Sequence, residues 1–229
     1  MRYGWLRARR GSPLTLQDRA LWLHASCAAI LRRMGVRLES RGPRPSRGLI
    51  GSNHLSYLDI LAYAAAAPCI FVSRSDVERW PVFGWCARVS GTIFIDRRSR
   101  ASTEHVARQM GEALAANVPI LLFPEGTSTD GSSVLRFHPS LLEPAIRQEQ
   151  EITAAAIAYR LRGGIERDIC WFGDARFVPH LLRSLGRSGV VAEIEFYPDP
   201  ARYYERKAAS LDLHDKVEAM RARLKRSVR

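Results

Sequence analysis

The sequence predicts an α/β fold: a single domain whose mixed, mostly buried sheet is flanked by helices, with an amphipathic helix ahead of it. Three observations predict this. From residue 47 onward, short apolar runs alternate with helical stretches, the pattern of helices layered on a sheet. The strand-like runs are near-continuously apolar rather than alternating, as strands covered on both faces are. The chain has 229 residues, of which 46% are hydrophobic and 25% charged. That is enough to hide roughly 70% of the surface an extended chain exposes without disulfide staples, and it excludes disorder, collagen and coiled coil. The expected division is a basic, amphipathic helical segment over 1–46 and the main domain over 47–229.

In order along the chain, Leu14 to Met34 sets Leu16, Trp22, Leu23, Ala29, Ile30 and Leu31 among Gln17, Asp18, Arg19, Arg32 and Arg33, a helical pattern with basic ends. It reads first as a core helix. The alternative is an interfacial helix with Trp5 and Trp22 near lipid headgroups. Arg41 to Arg47, with Pro43 and Pro45, reads as a loop. Strands are predicted over Gly48–Ser52, Ile70–Ser73, Gly91–Ile95, Val118–Phe123, Ile152–Tyr159 and Val190–Phe196. Helices are predicted over Tyr57–Ala66, Val82–Val89, Ala101–Ala116, Ser140–Gln150 and Ala201–Arg226. In the third of these helices Val106, Met110, Ala113 and Leu114 share a face, and Asn117 is its stop signal.

The 35 Lys+Arg against 23 Asp+Glu give a net charge of +12. Nearly all the cations are arginine, whose planar fork suits phosphate, although a GC-rich genome gives the same bias. Such a surface attracts polyanions: nucleic acid, anionic headgroups or an acidic carrier protein. No uncharged run near the start reaches the roughly 18 to 20 residues of a spanning helix, and Gly11 to Asp18 interrupts anything resembling a leader. Cys27, Cys69, Cys86 and Cys170 are dispersed with no C-x-x-C pair, unlike a zinc site or a secreted disulfide scaffold, so a reducing setting is expected.

Two strand ends carry candidate chemistry. Ser52-Asn53-His54-Leu55-Ser56-Tyr57-Leu58-Asp59 runs from a strand into a helix. Five helical steps separate two side chains by roughly 140°, so His54 must sit in the turn before the helix to meet Asp59. There a carboxylate can fix the tautomer of an imidazole suited to taking an alcohol's proton. No G-x-S-x-G elbow supplies a nucleophilic serine, so the attacking hydroxyl would be the substrate's. A helix-cap histidine beside an unrelated surface aspartate is the plain alternative. The second end is Val118 to Phe123 followed by Pro124-Glu125-Gly126-Thr127-Ser128. Gly126 permits close backbone approach, and Thr127, Ser128 and neighbouring N–H groups can donate to an anion. Between them, Gly91 to Ile95 ends in Asp96-Arg97. Arg97 can grip a phosphate or simply pair with Asp96.

In this order, Asn53-His54 with Asp59, Gly91 to Arg97 and Phe123 to Thr127 resemble the glycerolipid acyltransferase family. Pro81 to Trp85 and Trp171-Phe172-Gly173-Asp174 extend the likeness to roughly Arg47–Asp199. The resemblance implies a glycerol-3-phosphate acyltransferase-like fold. It also implies transfer of an acyl group from acyl-CoA or acyl carrier protein to a lysolipid hydroxyl, most often that of 1-acylglycerol 3-phosphate, giving phosphatidic acid. It implies His54 as base with Asp59 orienting it, and Asn53, Arg97, Glu125, Gly126, Thr127 and Ser128 around the acceptor. It implies no metal, no cofactor beyond the thioester co-substrate, and work at the cytoplasmic face of an anionic membrane. The chain departs from the family pattern where Arg74 replaces a usual lysine, Ala154 a usual proline and Ser128 an often basic residue. That last change leaves less fixed charge at the acceptor loop and keeps another lysolipid, such as lyso-ornithine lipid, open. Two other classes compete. One is a non-catalytic basic module on membrane or nucleic acid, although no helix-turn-helix, RNP-type or zinc-finger pattern supports nucleic acid. The other is a thioesterase or lipase using water.

Overall fold

The computed structural model describes residues 13–80, 83–95 and 100–226, the last stretch with side chains from 104 onward. Trp5, Pro81 and Arg97, singled out above, lie outside the described residues. One seven-stranded sheet organises the chain. Its strands are β1 (Arg37–Arg41), β2 (Leu49–Ser52), β3 (Ile70–Arg74), β4 (Ile93–Ile95), β5 (Ile120–Leu122), β6 (Ile152–Leu161) and β7 (Val190–Phe196), in the spatial order β1-β7-β6-β2-β5-β3-β4. Every neighbouring pair is parallel except β6 with β7, so the sheet is mixed.

Among the described residues, seven α-helices cover it: α1 (Leu16–Arg33), α2 (Leu58–Ala66), α3 (Phe83–Val89), α4 (Arg100–Ala115), α5 (Glu143–Arg147), α6 (Phe177–Leu185) and α7 (Arg206–Arg226). The alternation of side chains along the strands divides two cores. Ile50, Leu121, Ile157 and Ile194 face α1 and α2 through Leu23, Cys27, Leu31, Ala62 and Tyr63. On the other face, Leu49, Ile120, Leu122, Ile152, Ala154 and Ala156 meet α4, α5 and α7 through Val106, Met110, Leu114, Ala145, Leu213 and Val217. Small residues set how closely α7 sits: a Cβ on Gly51 would fall 2.5 Å from the Leu213 side chain.

Local signals explain the element ends. Thr15 and Asp18 close a capping box at the start of α1. Asn117 takes φ 54° beyond α4, and the Val118 N–H closes back on the Ala113 carbonyl at 3.0 Å, a left-handed helix stop. α1 turns Ala20, Leu23, Cys27 and Leu31 into the core, with Trp22 partly buried against it, and leaves Leu21 and Ile30 exposed. The sequence pattern does not mark two elements. β1 reads Arg-Leu-Glu-Ser-Arg and is an edge strand, where apolar alternation is not required. Arg160 of β6 reaches Glu193 of β7 at 2.8 Å and Glu39 of β1 at 3.0 Å, neutralising two acids that lie opposite each other. The other unmarked element is α6. The helix expected over Ser140–Gln150 is split into a 3₁₀ turn at Pro139–Leu141 and the short α5, because Pro144 fits only a helix's first turn. The last helix starts at Arg206 rather than at Ala201, which forms a bridge to Ile152 instead.

Candidate active site

β2 and β5 lie side by side and parallel, yet their exits diverge. β2 leads into α2 on one face of the sheet, and β5 leads through Val134, Phe137 and Leu142 on the other. A crevice at such a switch point is where α/β sheets bind ligands. The two predicted motifs meet across it.

His54 lies in the turn after β2, and its ring folds back over the first turn of α2, placing Nδ1 2.7 Å from Asp59 Oδ2. That same oxygen accepts the N–H groups of Leu55 at 2.6 Å and Ser56 at 3.0 Å. Asp59 Oδ1 accepts the Tyr159 hydroxyl at 2.7 Å. The carboxylate is fully buried, and its backbone and phenol contacts are all N–H or O–H donors, so it is the acceptor for Nδ1–H as well. Nε2 is thereby the imidazole's proton acceptor. Among the described residues Nε2 has no hydrogen-bond partner, and the side chain is 18% exposed. Phe123, the first residue beyond β5, stacks on the ring at 3.9 Å and 10°, so the ring is held in its plane as well as through Nδ1.

The second motif braces the first. Glu125 accepts the His54 backbone N–H at 2.7 Å with one oxygen and the Leu135 N–H at 2.8 Å with the other. Burial pushes this carboxyl up to about 7 despite both donors. Its position follows from a turn in which the Gly126 N–H returns to the Phe123 carbonyl at 3.0 Å, with Pro124 at the second position. Gly126 has φ 75°, a left-handed conformation that a side chain would strain.

The predicted site residues therefore divide. His54 and Asp59 are brought together, and Glu125 joins them. Thr127 is exposed at the crevice. Among the described residues, the N–H groups of Thr127 and Ser128 have no acceptor. Ser128 gives its hydroxyl to the Trp171 carbonyl, anchoring the loop. Asn53 turns into the sheet: its amide donates to the Ile157 carbonyl at 3.1 Å and accepts the Ile157 N–H at 2.9 Å, fully buried. It clips the end of β2 to β6. Arg97 lies outside the described residues.

Two participants were not singled out from sequence. Tyr159 stands on the face of β6 shared with Ile157, opposite α2; a lone tyrosine in a strand of Ala and Ile was the available signal. Arg221 of α7 is buried and donates to Glu166, to the Gly131 carbonyl and to the Ile157 carbonyl at 2.8 to 3.0 Å. It ties α7 to the loop after Glu125 and to β6, and no local pattern announces it. Among the described residues, no cluster of three or more His, Cys, Asp or Glu is placed to hold a metal ion.

By fold and site, this is an α/β protein that aims a carboxylate-held imidazole into a switch-point crevice. The Acyltransferase family model matches residues 33–159. The lyso-ornithine lipid O-acyltransferase of Rhizobium meliloti (strain 1021) is 31% identical over 214 residues, covering 87% of this chain and 73% of that one. That of Pseudomonas aeruginosa PAO1 is 34% identical over 196 residues, with 85% and 74% covered. The 1-acyl-sn-glycerol-3-phosphate acyltransferase of Neisseria meningitidis is 29% identical over 194 residues, with 82% and 74% covered. The crystal structure of the 1-acyl-sn-glycerophosphate (LPA) acyltransferase PlsC from Thermotoga maritima shares the fold, with a TM-score of 0.70, at 15% identity over 97% of this chain and 88% of that one. The chain belongs to the Acyltransferase family and is an acyltransferase.

Proposed function

We propose that this acyltransferase moves a fatty acyl group from a thioester, on coenzyme A or acyl carrier protein, to the hydroxyl of lyso-ornithine lipid. The observation that carries the chemistry is the Nδ1–Oδ2 contact of 2.7 Å between His54 and Asp59, with Nε2 left to accept a proton. The acceptor oxygen attacks the thioester carbonyl carbon as His54 Nε2 takes its proton. The tetrahedral adduct collapses with cleavage of the C–S bond, and His54 returns the proton to the departing thiolate. Ester and thiol are the products, and no covalent acyl-enzyme is needed. Asp59 stabilises the transient imidazolium, and a positioned base of this kind contributes roughly 10² to 10⁴ in rate.

The acceptor assignment rests on two supports. The Rhizobium and Pseudomonas relatives, named lyso-ornithine lipid O-acyltransferases, match 87% and 85% of the chain. Ser128 stands where a basic residue would grip a phosphate monoester, and its hydroxyl is committed to Trp171. The N–H groups of Thr127 and Ser128, without an acceptor among the described residues, can receive the carboxylate that an ornithine headgroup carries. A second reading, 1-acylglycerol 3-phosphate as acceptor, is favoured by the Neisseria relative. Because either acceptor resides in a bilayer, we place the protein peripherally on the cytoplasmic face of an anionic membrane. Among the described residues, no helix is long and apolar enough to cross one.

The test is mass spectrometry of lipids formed by purified protein offered lyso-ornithine lipid and 1-acylglycerol 3-phosphate in parallel, with acyl-CoA or acyl carrier protein. Ornithine lipid as the main product is expected. Phosphatidic acid as the main product replaces the acceptor assignment, and free fatty acid formed at the same rate without either lysolipid indicates hydrolysis instead.

A further inference from the structure

α6 is built inside out. Its inward side carries His180 and Ser184, both buried. Its outward side carries Val178, Leu182 and Leu185, 61%, 65% and 48% exposed. Their spacing of i, i+4 and i+7 makes one continuous stripe. The buried polar groups are satisfied: His180 Nε2 meets the Cys170 carbonyl and Nδ1 the Tyr57 hydroxyl, both at 3.1 Å. The helix is thus pinned through its polar side and offers its leucines to the surroundings. Phe83 of α3, 40% exposed, packs edge-on against Phe177, the first residue of α6, at 5.0 Å, and widens the stripe.

We propose that this stripe of α6, with Phe83, is the face by which the protein docks on an anionic lipid bilayer, presenting the site to lysolipid in the membrane; this rests on the lysolipid reading above. Two features select a bilayer as the occupant. Arg176 and Arg183 flank the stripe, exposed and, among the described residues, without an ion pair, and an apolar stripe bordered by arginine matches acyl chains below anionic headgroups. The stripe is also continuous with the site. Phe177 packs on Tyr57 at 5.0 Å, Tyr57 lies in the turn between His54 and Asp59, and the Trp171 N–H holds the Leu55 carbonyl at 2.8 Å. A lipid leaving the membrane beside α6 meets an aromatic wall that ends at the catalytic turn.

The experiment is flotation of the full chain with vesicles of phosphatidylcholine and phosphatidylglycerol, comparing wild type with the double variant Val178→Ser/Leu182→Ser. Both positions are exposed, so folding should survive; circular dichroism and acyl transfer to a short-chain, monomeric lysolipid check it. We expect vesicle binding to fall at least about tenfold, and acyl transfer to vesicle-borne lysolipid to fall with it, while transfer to the short-chain lysolipid is kept. Flotation like wild type overturns the proposal. So does unchanged flotation with a raised KM for acyl carrier protein, which would make the stripe a carrier site, or a change in sedimentation mass, which would make it a contact between copies. His54→Ala protein should float like wild type, so a failure of the acyl-transfer reading leaves the docking result readable.

Discussion

Tyr159 and Asp59, 100 residues apart, share a hydrogen bond of 2.7 Å on the carboxylate oxygen that His54 does not use. The phenol and the imidazole therefore compete for one buried negative charge. Burial raises the Tyr159 hydroxyl well above its ordinary value, with Asp59 adding to it, so it acts as a fixed donor.

Tyr159→Phe deletes that donor alone. Asp59 loses about 1 to 3 kcal/mol of stabilisation and concentrates its charge on the imidazolium. The prediction is a loss of roughly tenfold in kcat with KM for the lysolipid unchanged, because the carboxylate that aims the imidazole is less firmly held. A raised KM with kcat unchanged would contradict it.

Asp59 and His54 should separate in stability although the proposed mechanism uses both. Asp59 satisfies the backbone of the turn as well as the imidazole, so Asp59→Ala strands the Leu55 and Ser56 N–H groups and costs about 3 kcal/mol or more. His54 touches solvent and lends Asp59 only one of four donors, so His54→Ala should cost about 1 kcal/mol. Urea unfolding of the two variants checks this, and equal losses would contradict it.

Glu125 gives a signed pH dependence. Its folded value of about 7 lies above its ordinary 4.5, so the folded state binds the proton more tightly. The resulting stabilisation is present below about 4.5 and is lost as pH rises through about 7. Relative to Glu125→Gln, wild type should therefore lose about 2 to 3 kcal/mol between pH 4.5 and 8. Denaturant midpoints at several pH values measure the gap. A gap that does not change with pH would show that the two N–H donors hold Glu125 ionised throughout.

Asn53 acts through the sheet. Asn53→Ala removes both bonds to Ile157 and should lower stability by about 2 kcal/mol while leaving KM for the lysolipid unchanged. A raised KM with unchanged stability would return Asn53 to the acceptor site.

What could be read in advance follows from what is local. The layered α/β fold came from the alternation of apolar runs, and the meeting of His54 with Asp59 came from helical geometry over five residues. β1 was not legible because Arg37–Arg41 is held by cross-strand ion pairs rather than by apolar periodicity. α6 was not, because its inward residues are polar and its outward ones apolar, the reverse of the usual signal. Glu125 was legible as part of a strand-end turn, but its bond to the His54 backbone spans 71 residues. Tyr159 and Arg221 reach the site across still other elements, and sequence patterns carry no such distances.

The central claim is that His54 takes the acceptor's proton. The most direct measurement is single-turnover acyl transfer from a thioester to lyso-ornithine lipid by folded His54→Ala protein beside wild type. The account predicts a loss of roughly 10² to 10⁴ in the transfer rate with acceptor binding retained. Transfer at the wild-type rate would contradict it.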